Sequence, residues 1–114
     1  MIENNPSFTI IVPVYNGGST LRKCLESIFD SSEYDSEVIV VNDGSTDNTV
    51  DVAKLFPCRI INLSKNQGAA SARNIGAKEA KGEVLLFIDA DIILENNTIN
   101  KFIEEFRQKT MQIL

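Results

Sequence analysis

Histidine and tryptophan are absent from this 114-residue sequence, and cysteine occurs only twice. Without histidine the chain cannot build a Ser-His or Cys-His catalytic unit, and most zinc sites are excluded as well. Cys24 and Cys58 are too far apart for a Cys-x-x-Cys motif and are interpreted as small buried hydrophobic residues. Any metal that the chain binds must therefore be held by oxygen ligands.

Positive charge and long apolar segments are also scarce. The 11 Lys and Arg residues are outnumbered by 16 Asp and Glu residues, which gives a net charge of −5. Because a nucleic-acid-binding protein needs a basic surface, this balance argues against a nucleic-acid partner. The longest apolar runs, residues 8–14 and 84–88, are too short to span a bilayer, and they lack the charged leader and cleavage site of a signal peptide. We expect a cytoplasmic protein with no transmembrane segment, and peripheral membrane association stays open.

The apolar residues that are present form four strand patterns alternating with four helix patterns. Strands are predicted over residues 8–14, 37–42, 59–63 and 83–88, and a helix pattern follows each strand. Runs of Val and Ile such as residues 38–41 are typical of parallel strands covered on both faces. With right-handed crossovers, the alternation predicts the α/β class, with an open, mostly parallel sheet, helices on both faces and strand order 3-2-1-4. Residues 1–114 would form one domain.

Three details of the helices can be predicted from their spacing and end signals. The second helix is expected to turn Leu55 inward before Pro57 ends it. The third is predicted over residues 69–81, with Gly82 as a left-handed cap. The fourth is predicted over residues 98–109 and is expected to bury Phe102.

Polar residues collect where the predicted strands end. Tyr15 and Asn16 follow the first strand, Asp43 follows the second, and Asp89-Ala90-Asp91 follows the fourth. In a 3-2-1-4 sheet the strand order reverses between strands one and four, where a ligand is expected beyond the carboxyl ends. We therefore expect these side chains to surround one crevice.

The two aspartates after the fourth strand suggest a metal site. Asp89 and Asp91 can point the same way in an extended segment, and small Ala90 lets a ligand approach the backbone. Carboxylate oxygens suit Mg²⁺ or Mn²⁺, which such sites share with substrate phosphates. The D-x-D pattern is common, however, and the same residues could simply begin a loop.

Two further residues have a functional and a structural interpretation. The ring of Tyr15 beside Asp43 would suit a uracil-like base, although Tyr15 could equally belong to the core or the rim. Arg73, early in the third helix, could reach a diphosphate or could be a solvated surface charge.

Four segments taken together closely resemble glycosyltransferase family 2. They are residues 12–16 (VPVYN), 41–47 (VNDGSTD), 66–76 (NQGAASARNIG) and 87–91 (FIDAD), and they stand in the order and spacing of the family. The resemblance implies a GT-A fold, which is Rossmann-like, and inverting transfer of a sugar from a nucleotide-diphosphate donor, with a UDP-sugar favoured, to an unknown acceptor. This chain would supply the donor- and metal-binding half.

The resemblance also implies roles for individual residues. Pro13 and Tyr15 would contact the base, and Asp43 would hydrogen-bond to it. Asp89 would lie by the ribose and the sugar, and Asp91 would bind Mn²⁺ or Mg²⁺ with Asp89 beside it. The remaining residues of the nucleotide-sugar site would be Asn16, Asn66, Gly68, Arg73 and Ala90. Asn42 departs from the pattern, since many members have an acid there.

Length is the larger departure from the family. Members continue for at least as many residues again and supply the general base there. We therefore expect a truncated chain, a gene fragment or a subunit that needs a partner, and a catalytic base beyond Leu114. No catalytic residue can be named here, and activity of the chain alone stays open. The exposed edge of strand four, or the last helix, is expected to mediate self-association.

Two alternatives to a sugar transferase stay open. A non-catalytic nucleotide-sugar-binding or interaction module would keep the same fold without transfer. A dinucleotide-binding Rossmann domain fits less well, because residues 16–21 do not match G-x-G-x-x-G.

Overall fold

The computed structural model describes residues 7–31 and 36–113, the last four of these by their backbone alone. Strands and helices alternate along the described chain: β1 (Phe8–Val14), α1 (Leu21–Asp30), β2 (Glu37–Asn42), α2 (Thr49–Ala53), β3 (Arg59–Asn62), α3 (Ala69–Glu79), β4 (Val84–Phe87) and α4 (Thr98–Ile113).

The four strands form one parallel sheet in the order β3-β2-β1-β4. The predicted α/β class and the predicted strand order are therefore confirmed. The order reverses next to β1, which pairs with β2 on one side and β4 on the other. Loops after β1, β2 and β4 consequently leave the same edge of the sheet and flank one crevice.

The sheet is covered on both faces because β1 and β2 carry apolar side chains on both. One face packs against α1, α2 and α4, and its core contains Ile10, Val12, Leu25 and Ile103. The other face packs against α3, where a smaller core contains Ile11, Ile39, Val41 and Ala72. All seven residues of β1 are buried, so this strand lies at the centre of the fold.

Close packing of α3 against the sheet depends on a small residue. A Cβ atom added to Gly76 would lie 2.7 Å from Cγ2 of Ile11 and 3.1 Å from Cγ2 of Val41. Both distances are shorter than ordinary van der Waals contact, so a side chain at position 76 would push α3 away from the sheet. This contact sets the distance between α3 and the sheet. The first residues of α3 line the crevice.

The boundaries of β1 and β2 match the prediction, whereas two predicted burials are wrong. Leu55 is 62% exposed because α2 ends at Ala53 and Leu55 lies in the following turn. Phe102 is 41% exposed because α4 turns Ile99 and Ile103 toward the sheet instead. The Phe102 ring still contacts Phe8 edge-on, with ring centroids 6.3 Å apart.

The prediction for Gly82 is also wrong. The helix α3 ends at Glu79, followed by Ala80 in an extended conformation, and Gly82 has no positive φ. Gly82 instead lies against β1, where its N–H donates to Thr9 Oγ1 at 2.9 Å. An added Cβ would lie 2.5 Å from that oxygen, so the position requires glycine for space and not for a left-handed cap.

Candidate functional site

A cavity of about 570 Å³ lies at the carboxyl ends of the strands, where the order reverses. It is lined by the backbone after β1, by the end of β2, by the start of α3 and by the segment after β4. Every site residue predicted from the sequence lies on its wall: Pro13, Tyr15, Asn16, Asp43, Asn66, Gly68, Arg73, Asp89, Ala90 and Asp91. Placement on a shared wall is what the structure establishes, and the role of each residue remains a prediction.

Asn16 joins the loop after β1 to the loop after β2. Its side-chain Oδ1 accepts the backbone N–H of Thr46 at 2.7 Å and the Thr46 hydroxyl at 3.3 Å. Its own N–H donates to Ser45 Oγ at 2.9 Å. Asn16 has φ of 50°, a left-handed conformation that asparagine tolerates better than most residues. The side chain of Asn16 is therefore occupied in holding two loops together beside the 52% exposed ring of Tyr15.

A second connection between these loops involves Asp47. Its carboxylate accepts the N–H of Gly18 at 3.0 Å, the N–H of Thr49 at 3.0 Å and the Thr49 hydroxyl. The hydroxyl bond from Thr49 and the N–H of Gly18 lower the pKa of Asp47, because both stabilise the charged carboxylate. Gly17 donates to Thr49 Oγ1 at 3.1 Å, so the loop after β1 is held along several successive residues.

Asp43 is the most buried acidic residue of the cavity wall, with 3% of its surface exposed. Its carboxylate accepts the N–H of Gln67 at 2.7 Å, the N–H of Gly68 at 2.9 Å and the Asn66 side-chain amide at 3.0 Å. An ionised carboxylate offers about four acceptor positions, so about one is left for a ligand. Asp43 thus holds the loop that begins α3 and still faces the cavity.

Glycine is required where the loop after β2 meets the loop that begins α3. Gly44 has φ of 74°, and a Cβ added there would lie 2.5 Å from the backbone of Lys65 and Asn66. Gly68, just before α3, has φ of 101°, but no atom lies within 4 Å of its added Cβ. Gly44 is therefore needed for both conformation and space, and Gly68 for conformation alone.

Two other residues of the cavity wall, Arg73 and Asp89, form an ion pair. The guanidinium Nη2 of Arg73, in α3, lies 3.2 Å from Asp89 Oδ1, and both side chains are partly exposed. The backbone oxygen of Asp89 accepts a weak hydrogen bond from the Cys24 thiol at 3.6 Å. Burial and the charges of Asp91 and Asp89 raise the pKa of Cys24 to about 11. The thiol is therefore protonated at neutral pH and supports the aspartate segment rather than acting as a nucleophile.

The residues present suit a divalent cation whose coordination shell is completed by the phosphates of a bound substrate and by water. Among residues 7–31 and 36–113 no group of three His, Cys, Asp or Glu side chains forms a metal cage. Asp89 and Asp91 offer hard oxygen ligands on the wall of a cavity large enough for a phosphate-bearing molecule. Mg²⁺ typically binds through one or two carboxylates together with substrate phosphates and water, which fits this donor set.

Five residues of the cavity wall were not predicted as site residues: Val14, Gly17, Thr20, Ala69 and Ala72. Their side chains are small or lie next to predicted residues, so no chemical signal distinguishes them in the sequence. The position of Gly17 directly after Tyr15-Asn16, in the loop after β1, was the one available indication.

Comparison with known proteins identifies the family. The model of glycosyl transferase family 2 matches residues 9–113, which is nearly the whole chain. This chain belongs to glycosyl transferase family 2. The family predicted from the four sequence segments is therefore confirmed. The cavity of this chain is lined by residues from all four segments.

Relatives of this family 2 chain include named glycosyltransferases. Glycosyltransferase GlyG of Streptococcus pneumoniae serotype 4 is 32% identical over 111 residues, which cover 93% of this chain and 37% of GlyG. The crystal structure of S. aureus TarS 1-349 in complex with UDP has a TM-score of 0.79 and 30% identity, covering 90% of this chain and 32% of that one.

A third similar protein contains both a nucleotide sugar and a metal. It is the mannosyltransferase PcManGT from Pyrobaculum calidifontis in complex with GDP-Man and Mn²⁺, with a TM-score of 0.75 and 29% identity, covering 82% of this chain and 30% of that one. This family 2 chain thus spans about a third of the length of each of these three proteins. Within the described residues, no helix combines the length and the apolar character needed to cross a membrane.

Proposed function

We propose that this chain supplies the donor- and metal-binding half for inverting transfer of a sugar from a nucleotide diphosphate to an acceptor. The observation that carries the proposal is the cavity at the strand-order reversal, whose wall includes Tyr15, Asp43, Arg73, Asp89 and Asp91. The family membership and the UDP and GDP-Man complexes of similar proteins support a nucleotide-sugar donor. A UDP-sugar is the donor we favour.

The base would lie between the loops after β1 and β2. The exposed ring of Tyr15 offers a stacking surface, and Pro13 also lies on the cavity wall. The remaining acceptor position of Asp43 would receive an N–H of the base. Because Asn16 and Asp47 join the two loops, these groups are held in place before a ligand arrives.

The diphosphate and sugar would lie between α3 and the segment after β4. Arg73 would contact the diphosphate, and Gly68, Asn66 and Ala90 would let it approach the backbone. Asp89 and Asp91 would hold Mn²⁺ or Mg²⁺, whose positive charge stabilises a diphosphate leaving group. Proton removal from the acceptor would need a general base from outside the described residues, since the cavity wall offers no group assigned to that role.

Donor binding can be tested by thermal shift. We expect UDP with Mn²⁺ to raise the melting temperature, while NAD with Mn²⁺ does not, and Asp91→Asn to remove most of the UDP effect. Stabilisation by NAD alone would favour the Rossmann alternative. Binding of UDP-sugar without hydrolysis or transfer would favour a non-catalytic module, and turnover that Asp91→Ala abolishes would exclude that module.

The proposal includes two further properties of the chain. Self-association is proposed through the edge of β4 or through α4. In the described sheet β4 pairs only with β1, and each of these two elements carries an exposed phenylalanine, Phe87 in β4 and Phe102 in α4. The cytoplasmic location expected from the sequence stays a prediction.

A further inference from the structure

The ion pair between Arg73 and Asp89 occupies one of the two carboxylates that the proposed cation would use. Nη2 of Arg73 lies 3.2 Å from Oδ1 of Asp89, and the exposed fractions of the two side chains are 39% and 61%. Arg73 belongs to helix α3, whereas Asp89 lies just beyond the end of β4. Asp91 follows on the same wall of the cavity.

A carboxylate oxygen cannot be shared freely between a guanidinium and a divalent cation. The two cations compete for the same lone pairs, and their like charges repel at short range. The competition should be modest because both side chains are partly exposed to water, where ion pairs are worth little. It should nevertheless be measurable as a change in cation affinity.

We propose that Arg73 competes with the divalent cation for Asp89 in the ligand-free protein, and that a nucleotide diphosphate relieves the competition. A diphosphate offers the guanidinium a doubly hydrogen-bonded anionic partner, which is a better match than one carboxylate oxygen. Once Arg73 has turned to the diphosphate, Asp89 is free for the cation. This inference rests on the proposed donor and metal site. It assigns Arg73 an additional role, which is to couple binding of the nucleotide to binding of the cation.

The coupling has a consequence that must hold in both directions. If the nucleotide increases the affinity for the cation, the cation increases the affinity for the nucleotide by the same factor. A cation that bridges the diphosphate would give some coupling without Arg73. The part that depends on Arg73 is therefore isolated by comparing coupling factors between variants.

The chain offers a matched control, a second exposed ion pair between an arginine and an acidic residue that also involves α3. Arg59 pairs with Glu79, at the far end of α3 from Arg73, and Arg59 is absent from the cavity wall. Arg59→Gln and Arg73→Gln each remove one positive charge and one exposed ion pair. Any difference between them reports the position of Arg73 and not the net charge.

The test measures Mn²⁺ affinity of the full chain from the electron paramagnetic resonance signal of free Mn²⁺, with and without UDP, at fixed ionic strength. Without UDP, Arg73→Gln should bind Mn²⁺ roughly two- to fivefold more tightly than wild type, as removal of an exposed competing ion pair predicts. Arg59→Gln should match wild type. The factor by which UDP tightens Mn²⁺ binding should be smaller in Arg73→Gln than in either of them.

Two results would overturn the proposal in distinguishable ways. If UDP promotes Mn²⁺ binding in wild type but Arg73→Gln has the same Mn²⁺ affinity as Arg59→Gln without UDP, competition by Arg73 is refuted while the donor site stands. If wild type binds no Mn²⁺ even with UDP, the proposed donor and metal site itself is refuted, and the inference falls with it.

Discussion

The carboxylate of Asp43 accepts the backbone N–H of Gln67 at 2.7 Å, and this bond ties the end of β2 to the loop that begins α3. The same carboxylate accepts the N–H of Gly68 and the Asn66 amide, although only 3% of Asp43 is exposed. An aspartate expected to bind a base is therefore also the residue that positions a wall of the base site.

Asp43→Asn should destabilise the fold by about 1–3 kcal/mol, because the new amide group of this buried residue would face the partly buried N–H of Gln67 or Gly68 and leave it without an acceptor. Urea denaturation of the two proteins measures this difference in free energy of unfolding. Asp51→Asn, an exposed change in α2, serves as the control and should change stability by less than about 0.5 kcal/mol. An unaltered stability in Asp43→Asn would show that the loop is held by other contacts.

Two glycine substitutions should separate backbone strain from steric overlap. Gly68→Ala introduces only an unfavourable left-handed conformation, which should cost about 1–3 kcal/mol. Gly44→Ala adds overlap with the backbone of Lys65 and Asn66, which should raise the loss by about a further 1–3 kcal/mol. Chemical denaturation of both variants checks the order, and an equal or smaller loss in Gly44→Ala would contradict the close contact of the two loops.

The lowered pKa of Asp47 predicts how stability depends on pH. A carboxyl group whose pKa is lowered by folding stabilises the protein fully above its ordinary value of 3.8, and that contribution is lost as pH falls through the lowered value. Free energies of unfolding from about pH 6 to about pH 2 should therefore fall less steeply in Asp47→Asn than in wild type. Asp51→Asn controls for the removal of one carboxylate, and identical slopes in all three proteins would refute the role of Asp47.

Much of the fold follows from the sequence because β1 and β2 carry continuous apolar runs that only a doubly covered strand can bury. Leu55 was wrongly expected inside because helical spacing was extended beyond Ala53, where α2 ends. Gly82 was wrongly expected to be a left-handed cap because its sequence position fits one, whereas its real constraint is the approach of Thr9. Contacts between distant segments are not encoded in local spacing.

For the candidate site, too, the sequence predicts which residues come together but not the contacts that they make. The strand order brings Tyr15, Asp43 and Asp89 to one edge, and that order follows from the alternation of elements. The hydrogen bonds of Asp43 with the 66–68 loop could not be predicted, since the direction of a backbone N–H depends on loop conformation. The pairing of Arg73 with Asp89 likewise depends on the height of α3 above the sheet.

Self-association should increase with concentration and should depend on the apolar residues near β4. Light scattering is expected to give a mass above that of the monomer at high concentration, and Phe87→Lys with Phe102→Lys should return it to the monomer. Leu55→Lys removes an apolar side chain after α2 that is more exposed than Phe87 or Phe102, and it should leave the mass unchanged. A wild-type chain that stays monomeric at every concentration would refute this part of the proposal.

The central claim is that one cavity at the carboxyl edge of the sheet holds both the nucleotide and the cation. Paramagnetic broadening of amide resonances by Mn²⁺ in the presence of UDP tests it directly. The account predicts broadening at Tyr15, Gly68, Ala90 and Asp91, with Gly82 at the opposite edge of the sheet unaffected. Broadening centred on Gly82, or none anywhere in the chain, would contradict it.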